Sequence, residues 1–285
     1  MNKHIRNALV VVVLCAISVM LVTYIKYLSW LINSLYLDVN DNRFRNMNIT
    51  CSYEELSTSA DDMNVNVADL CVICSCMNNG IISTDTLKTV SKKKYVKIYN
   101  YLMRTQPEQY NLYRHTYNAL INDIRYFPIP RSNKRKEWVN YVDSWNNERT
   151  YKGNRTHEGT DIMGGINKDG IYPVVSVSDG YISNIGWLEL GGYRIGITSD
   201  NGLYYYYAHL DSYAKNYKKG DRINAGDIIG FMGSTGYSKV EGTKNKFPVH
   251  LHFGIYITDT SQTEISINPY NILKINENNT LIYSY

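Results

Sequence analysis

Hydrophobic positions follow three different rhythms along the chain. From Ala8 to Ile25 the apolar run is almost unbroken, with Ser18 and Thr23 as its polar positions, and is just long enough to cross a bilayer as one helix. From about Val65 to Ile124 apolar residues recur at helical spacing. Beyond Pro130 short segments rich in β-branched and aromatic residues are bounded by Gly, Asp or Asn, which predicts strands. The fold class expected is therefore α+β: an N-terminal transmembrane helix and a small helical region, then an antiparallel β-rich domain.

Lys3, His4 and Arg6 precede the apolar run, so the positive-inside rule puts the amino terminus in the cytoplasm and the rest of the chain outside. A cleaved signal peptide is the rival reading. No Ala-x-Ala-like site closes the run, however; it passes into Lys26-Tyr27-Leu28-Ser29-Trp30, an interfacial aromatic collar. A single-pass cell-membrane protein with an extracellular C-terminal part is expected. Residues 1–7 would be the cytoplasmic tail, 8–25 the anchor and 26–63, polar and irregular, a stalk.

A helical region, 64–127, follows. Its first helix is expected over about Val65–Met77, where Val67, Leu70, Cys71, Cys74 and Met77 share a face and Asn78-Asn79-Gly80 makes a stop. A second is expected from Thr84, a plausible cap, to about Met103. A third, capped by Thr105 with Pro107 in its first turn, carries the stripe Tyr110, Tyr113, Tyr117, Leu120, Ile121 and Ile124. It must end before Phe127-Pro128-Ile129-Pro130. A basic linker over 128–148, with Lys134, Arg135, Lys136, Trp138 and Trp145, leads to the β-rich domain at 149–275 and a tail at 276–285. Strands are expected at Val174–Val177, Tyr181–Ile185, Arg194–Thr198, Leu203–His209, Ile228–Met232 and His250–Ile257.

Charge and cysteine usage narrow the classes. A formal net charge of +4 and a pI near 8.6, with both signs interleaved along the chain, give no electrostatic footprint for nucleic acid. The cysteines Cys51, Cys71, Cys74 and Cys76 form no evident disulfide framework, and small buried thiols suit them better than a metal site.

Four of the six histidines lie in the β-rich half. His250 and His252 alternate along one apparent strand, so both imidazoles point to one face about 7 Å apart. Taken alone, such a pair is equally a surface feature. His157-Glu158-Gly159-Thr160-Asp161 adds an imidazole and a carboxylate, both ligands that zinc accepts. Gly159 and the final Asp argue for a loop entering a strand rather than a zinc-protease helix, and an exposed polar loop is the bland alternative. Together, His157, Asp161 and His252 would leave a fourth zinc position open, and His209 and His250 could then handle protons or steady an oxyanion. Tyr205 and Tyr207 share the face of His209 if that strand is regular, and would line the groove or pack in the sheet.

These segments, in order from about Trp145 to Leu273, resemble the M23 family of zinc metallopeptidases, the lysostaphin-like or LytM-like cell-wall endopeptidases. The likeness rests on Arg155-Thr156-His157-Glu158-Gly159-Thr160-Asp161-Ile162, on Tyr207-Ala208-His209-Leu210, on the Gly-rich hairpin Lys219–Gly230 with Gly233-Ser234-Thr235-Gly236, and on His250-Leu251-His252-Phe253. The resemblance implies one Zn2+ held by His157, Asp161 and His252, catalysis by His209 and His250, and hydrolysis of peptidoglycan peptides. The alternative is a noncatalytic, membrane-tethered scaffold that binds wall or a partner protein through the helical region. Two departures stand out: the segment from Tyr237 to Val249 is longer than the common spacer, and Gly254 stands where Glu is frequent.

Overall fold

The computed structural model describes residues 3–151, 153–259 and 261–285. Met1 and Asn2 of the expected cytoplasmic tail lie outside them, as do the side chains of Lys3, His4, Arg6, Tyr27 and Trp30. Helix α1 spans Lys3–Leu35, and its Asn7–Lys26 portion is long and apolar enough to cross a membrane, with none of it packed on the rest of the chain. It continues beyond Ile25, into the expected stalk.

That stalk is in fact a folded layer. Helix α2 (Asn42–Arg45) starts where the Asp41 carboxylate accepts from the Arg43 N–H at 2.7 Å. Helix α3 (Tyr53–Met63) starts in a capping box between Ser52 and Glu55. Leu35, Leu37, Val39, Phe44, Met47, Ile49 and Leu56 are all buried, and the Phe44 ring stacks on Tyr113 at 3.8 Å. Their spacing has no single period because they come from the end of α1, from α2 and α3, and from the segments that connect them.

Helices α4 (Val67–Met77), α5 (Thr84–Thr89), α6 (Lys92–Thr105) and α7 (Pro107–Asp123) complete this layer. The single helix expected from Thr84 to Met103 is two. Val90 is extended, and Ser91 restarts the chain by accepting the Lys94 N–H. Ser83, not Thr84, caps α5. Thr105 ends α6 rather than capping α7, and Gln106 between them spends its side chain on Leu37 N and Leu35 O. The tyrosine stripe of α7 packs on α4, which is buried almost all round. Cys51, Cys71, Cys74 and Cys76 are free and buried. Burial pushes the Cys51 thiol up to about 11 and Cys74 up to about 12, so both stay protonated and pack as small apolar groups.

The strands are β1 (Arg131–Ser132), β2 (Val139–Asn140), β3 (Glu148–Arg149), β4 (Arg155–Thr156), β5 (Thr160–Gly164), β6 (Pro173–Val175), β7 (Gly180–Leu188), β8 (Gly192–Ser199), β9 (Tyr204–Tyr213), β10 (Arg222–Ile223), β11 (Ile228–Met232), β12 (His250–Thr258), β13 (Glu264–Ile267) and β14 (Ile282–Tyr283), with α8 at Tyr270–Asn276. Among the described residues the main sheet runs β10-β7-β8-β9-β12-β5-β2 and is antiparallel, with β13 on β12 and β11 bridging β9 to β6. The expected linker belongs to this body: β2 edges the sheet, Ile129 is buried, and β1 pairs with β14 of the expected tail.

The helical layer and the sheet share one core. Arg45 donates to the Ser266 carbonyl at 3.0 Å and lies over the Trp145 ring. Buried Asp123 accepts from Asn201 at 2.5 Å and from Tyr205 at 3.4 Å. Strands β9, β12 and β5 are thereby held as a fixed platform, and the candidate site lies on its outer face.

Candidate metal centre and active site

Register decides which side chains meet. On β12 and β5, His252 lies opposite Asp161 and His250 opposite Met163; on β9, Ala208 faces His252 and Tyr206 faces Gly254. Directly opposed residues share a face, so His250, His252 and Asp161 project together. His157 arrives from the loop between β4 and β5. Gly159 makes that approach feasible: a Cβ there would sit 2.5 Å from the Phe253 carbonyl and 2.8 Å from the His252 ring.

The three predicted ligands converge. His157 Nε2 lies 2.9 Å from Asp161 Oδ1 and 2.9 Å from His252 Nδ1, and His252 Nδ1 lies 3.1 Å from Asp161 Oδ1. His157 Nδ1 donates to the Ser144 carbonyl at 3.0 Å, which leaves Nε2 with a lone pair. Two imidazole nitrogens and a carboxylate oxygen thus face one another around one point, where a cation can take the place of the protons that otherwise join them. The donor set, two nitrogens and one oxygen within reach of one small ion, fits zinc. Arg149 Nη2 donates to Asp161 Oδ2 at 2.8 Å, occupying that oxygen and leaving Oδ1 toward the histidines. Burial opposes ionisation of Asp161, but the contacts of His157 and His252 with its carboxylate, together with nearby His250, outweigh it and hold the carboxyl well below the usual range.

His209 and His250 stand beside this triangle. His250 Nδ1 donates to the Pro248 carbonyl at 2.7 Å, and its Nε2 lies 3.8 Å from Asp161 Oδ1. His209 Nδ1 donates to the Thr235 carbonyl at 2.7 Å, and the two rings are 4.7 Å apart. Each therefore keeps Nε2 as its unprotonated nitrogen. Burial lowers the pKa of His209 well below its ordinary value, helped by the neighbouring imidazoles, and burial likewise lowers His250 and His252.

His209 reaches the site by breaking its strand. Its φ is +62°, and the β8–β9 register slips between Tyr193 and Ile195, a β-bulge that adds one residue on β9. The bulge reverses the alternation, so of the two placements expected for Tyr205 and Tyr207, lining the groove or packing in the sheet, the second holds: both are fully buried in the core. Tyr206 faces the site instead, 5.9 Å from the His252 ring, with Tyr256 beside it.

A cavity of about 270 Å³ covers these groups, walled by Arg149, Arg155, Glu158, Tyr206, Tyr237 and Tyr256 together with the histidines. The long spacer forms one wall. Phe247 packs 4.5 Å from His209 and 5.0 Å from His250, and Tyr237 stacks on Tyr151 at 4.5 Å. Sequence reasoning missed Arg149, which lies 12 residues before its partner in no recognisable pattern, and Tyr206, which lay on the wrong face of an assumed regular strand.

Comparison with known proteins agrees with this geometry. The model of peptidase family M23 matches residues 155–268. The L-Ala--D-Glu endopeptidase of Bacillus subtilis (strain 168) is 42% identical over 144 residues, which are 50% of this chain and 41% of that protein. Lysostaphin of Staphylococcus simulans is 39% identical over 99 residues, 34% of this chain and 17% of that one. The chain thus spans less than half the length of these curated relatives. A crystal structure of a putative glycyl-glycine endopeptidase lytM from Ruminococcus gnavus ATCC 29149 is 40% identical with a TM-score of 0.70, covering 90% of this chain and 98% of that one. Its likeness takes in the helical layer as well as the sheet, and on it the chain belongs to peptidase family M23.

Proposed function

We propose that this chain is a membrane-anchored zinc endopeptidase that hydrolyses peptide bonds of bacterial peptidoglycan. The observation that carries the reading is the meeting of three acceptor atoms, from His157, Asp161 and His252, beside two imidazoles whose free Nε2 atoms face the same cavity. His157, Asp161 and His252 would hold one Zn2+, which when bound would polarise a peptide carbonyl and activate water near neutral pH. His209 and His250 are neutral at pH 7 and keep a lone pair at Nε2. They would accept a proton from the attacking water and return one to the leaving amine. Arg149 holds Asp161 in orientation, and the aromatic wall of Tyr237 and Phe247 limits bulk water. Because a similar protein is named as an L-Ala--D-Glu endopeptidase, the peptide bonds of peptidoglycan are the substrate this reading favours.

The test is zinc analysis of the detergent-solubilised chain together with digestion of chemically distinct peptidoglycans. About one zinc per chain is expected by the ligand count, lost in His252→Ala, along with release of new amino groups. A zinc-loaded chain that cleaves none of them would make the domain a noncatalytic scaffold. The anchor is tested on protoplasts. External protease should remove the catalytic domain while a tag on Met1 stays protected, and a protected carboxy terminus would reverse the topology.

A further inference from the structure

The ribbon of β3 and β4 places Arg149 directly opposite Arg155. Cross-strand neighbours share a face, and like charges so placed destabilise the pairing. The two guanidiniums differ in what neutralises them. Arg149 is bound to Asp161 Oδ2. Arg155 has no carboxylate partner among the described residues, and its contact is a long 3.5 Å hydrogen bond to the Tyr151 carbonyl. The other acid lining the cavity, Glu158, instead receives the Tyr256 hydroxyl at 3.4 Å. Both arginines line the cavity that holds the histidines, and Arg155 stands two residues before His157.

A half-buried guanidinium kept unpaired beside the reacting centre, in a ribbon that would be more stable without it, calls for an anion from outside the chain. The fork of Arg matches a carboxylate in two parallel hydrogen bonds. We propose that Arg155 binds a free carboxylate of the substrate peptide close to the scissile bond, so that the site selects acidic stem peptides over neutral ones such as oligoglycine bridges. The proposal rests on the peptidase reading for the identity of the site and adds the chemical class of the peptide it takes.

Two synthetic stem peptides that differ by one group, a free side carboxylate or its carboxamide beside the scissile bond, provide the test with the detergent-solubilised, zinc-loaded chain. Binding is followed by calorimetry and turnover by amine release. A charge-assisted bidentate contact should favour the acid in binding roughly ten- to hundredfold. Arg155→Gln should bring the acid down to the level of the amide at equal zinc content, and Arg155→Lys should restore part of the preference. Equal binding of acid and amide by the wild type, or a preference that survives Arg155→Gln, overturns the carboxylate site. Acid-selective binding that depends on Arg155 without any turnover supports the site while refuting the peptidase reading. Turnover of both peptides without preference does the reverse.

Discussion

In the proposed mechanism, replacing His209 should separate metal binding from catalysis, because it would act on the reaction without belonging to the ligand set. His209→Ala removes the Nε2 lone pair and leaves His157, Asp161 and His252 in place, so zinc content should be unchanged. Losing a general acid or base costs about two to four orders of magnitude in turnover, or about 3–5 kcal/mol of barrier. His209→Gly removes the same imidazole but answers a second question. The native residue sits at φ +62°, in the left-handed region, where a Cβ costs roughly 1–2 kcal/mol that glycine does not incur. Both variants lose the contacts to Phe247 and His250, so the difference between them isolates the backbone. The glycine variant should be as inactive as the alanine variant yet unfold about 1 kcal/mol later. Amine release from peptidoglycan at equal zinc content, and thermal unfolding of both variants, supply the readouts. Wild-type turnover in His209→Ala would remove His209 from the chemistry. Equal stability of the two variants would show that the bulge stores no strain.

Three further outcomes follow from the site. Arg149→Gln should weaken zinc binding by about ten- to a hundredfold, the usual cost of losing a hydrogen bond that orients a ligand, and competition with a chelator measures it. Gly159→Ala should force the β4–β5 loop off the Phe253 carbonyl and the His252 ring, destabilising the fold by about 1–3 kcal/mol and lowering zinc affinity; unchanged affinity would show that the loop yields without moving His157. In the zinc-free chain, His209, His250 and His252 have folded-state pKa values depressed by burial, whereas the unfolded imidazoles titrate near about 6.5. Their stabilisation is full above that value and is lost as pH falls, by up to about 1.4 kcal/mol per pH unit for each histidine that stays neutral. The unfolding temperature should therefore drop between pH 7 and pH 5 in chelator, and a flat profile would contradict the burial argument.

The convergence of His157, Asp161, His209, His250 and His252 was legible because each sits in a short motif whose spacing survives folding: alternation put His250 and His252 on one face, and the entry to β5 put Asp161 beside them. Legibility failed where a local feature overrode a regular pattern. One extra residue at His209 exchanged Tyr206 for Tyr205 and Tyr207. The polar stretch from Lys26 to Met63 hid Phe44 and Met47 because α2 is a single turn and Met47 lies in the segment after it, where no period can show. The break between α5 and α6 turns on one serine, Ser91, amid a run of lysines that reads as continuous helix. Arg149 carried no signal at all, since its pairing with Asp161 exists only after β3 and β4 fold back on each other.

The two departures from the family pattern act on the same groove. The longer spacer supplies Tyr237 and Phe247, which wall the side of His209 and His250. Gly254 lies on the outer face of β12 between His252 and Tyr256, opposite Tyr206, and a Cβ there would come within 2.8 Å of the Tyr256 ring and 3.2 Å of the Glu158 carbonyl. A glutamate at this position is incompatible with the ring as placed, so the floor of the groove is aromatic where the frequent residue would make it acidic. Removing a negative charge from the floor strengthens the positive field of Arg155 at the cavity, since in a partly desolvated cleft a nearby opposite charge would offset it with little screening. Gly254→Glu should then displace Tyr256 and set a carboxylate against the incoming one. With the stem-peptide pair, the preference for acid over amide should shrink or invert while zinc content holds. A preference unchanged by Gly254→Glu would mean that the substrate carboxylate does not pass over this part of the sheet.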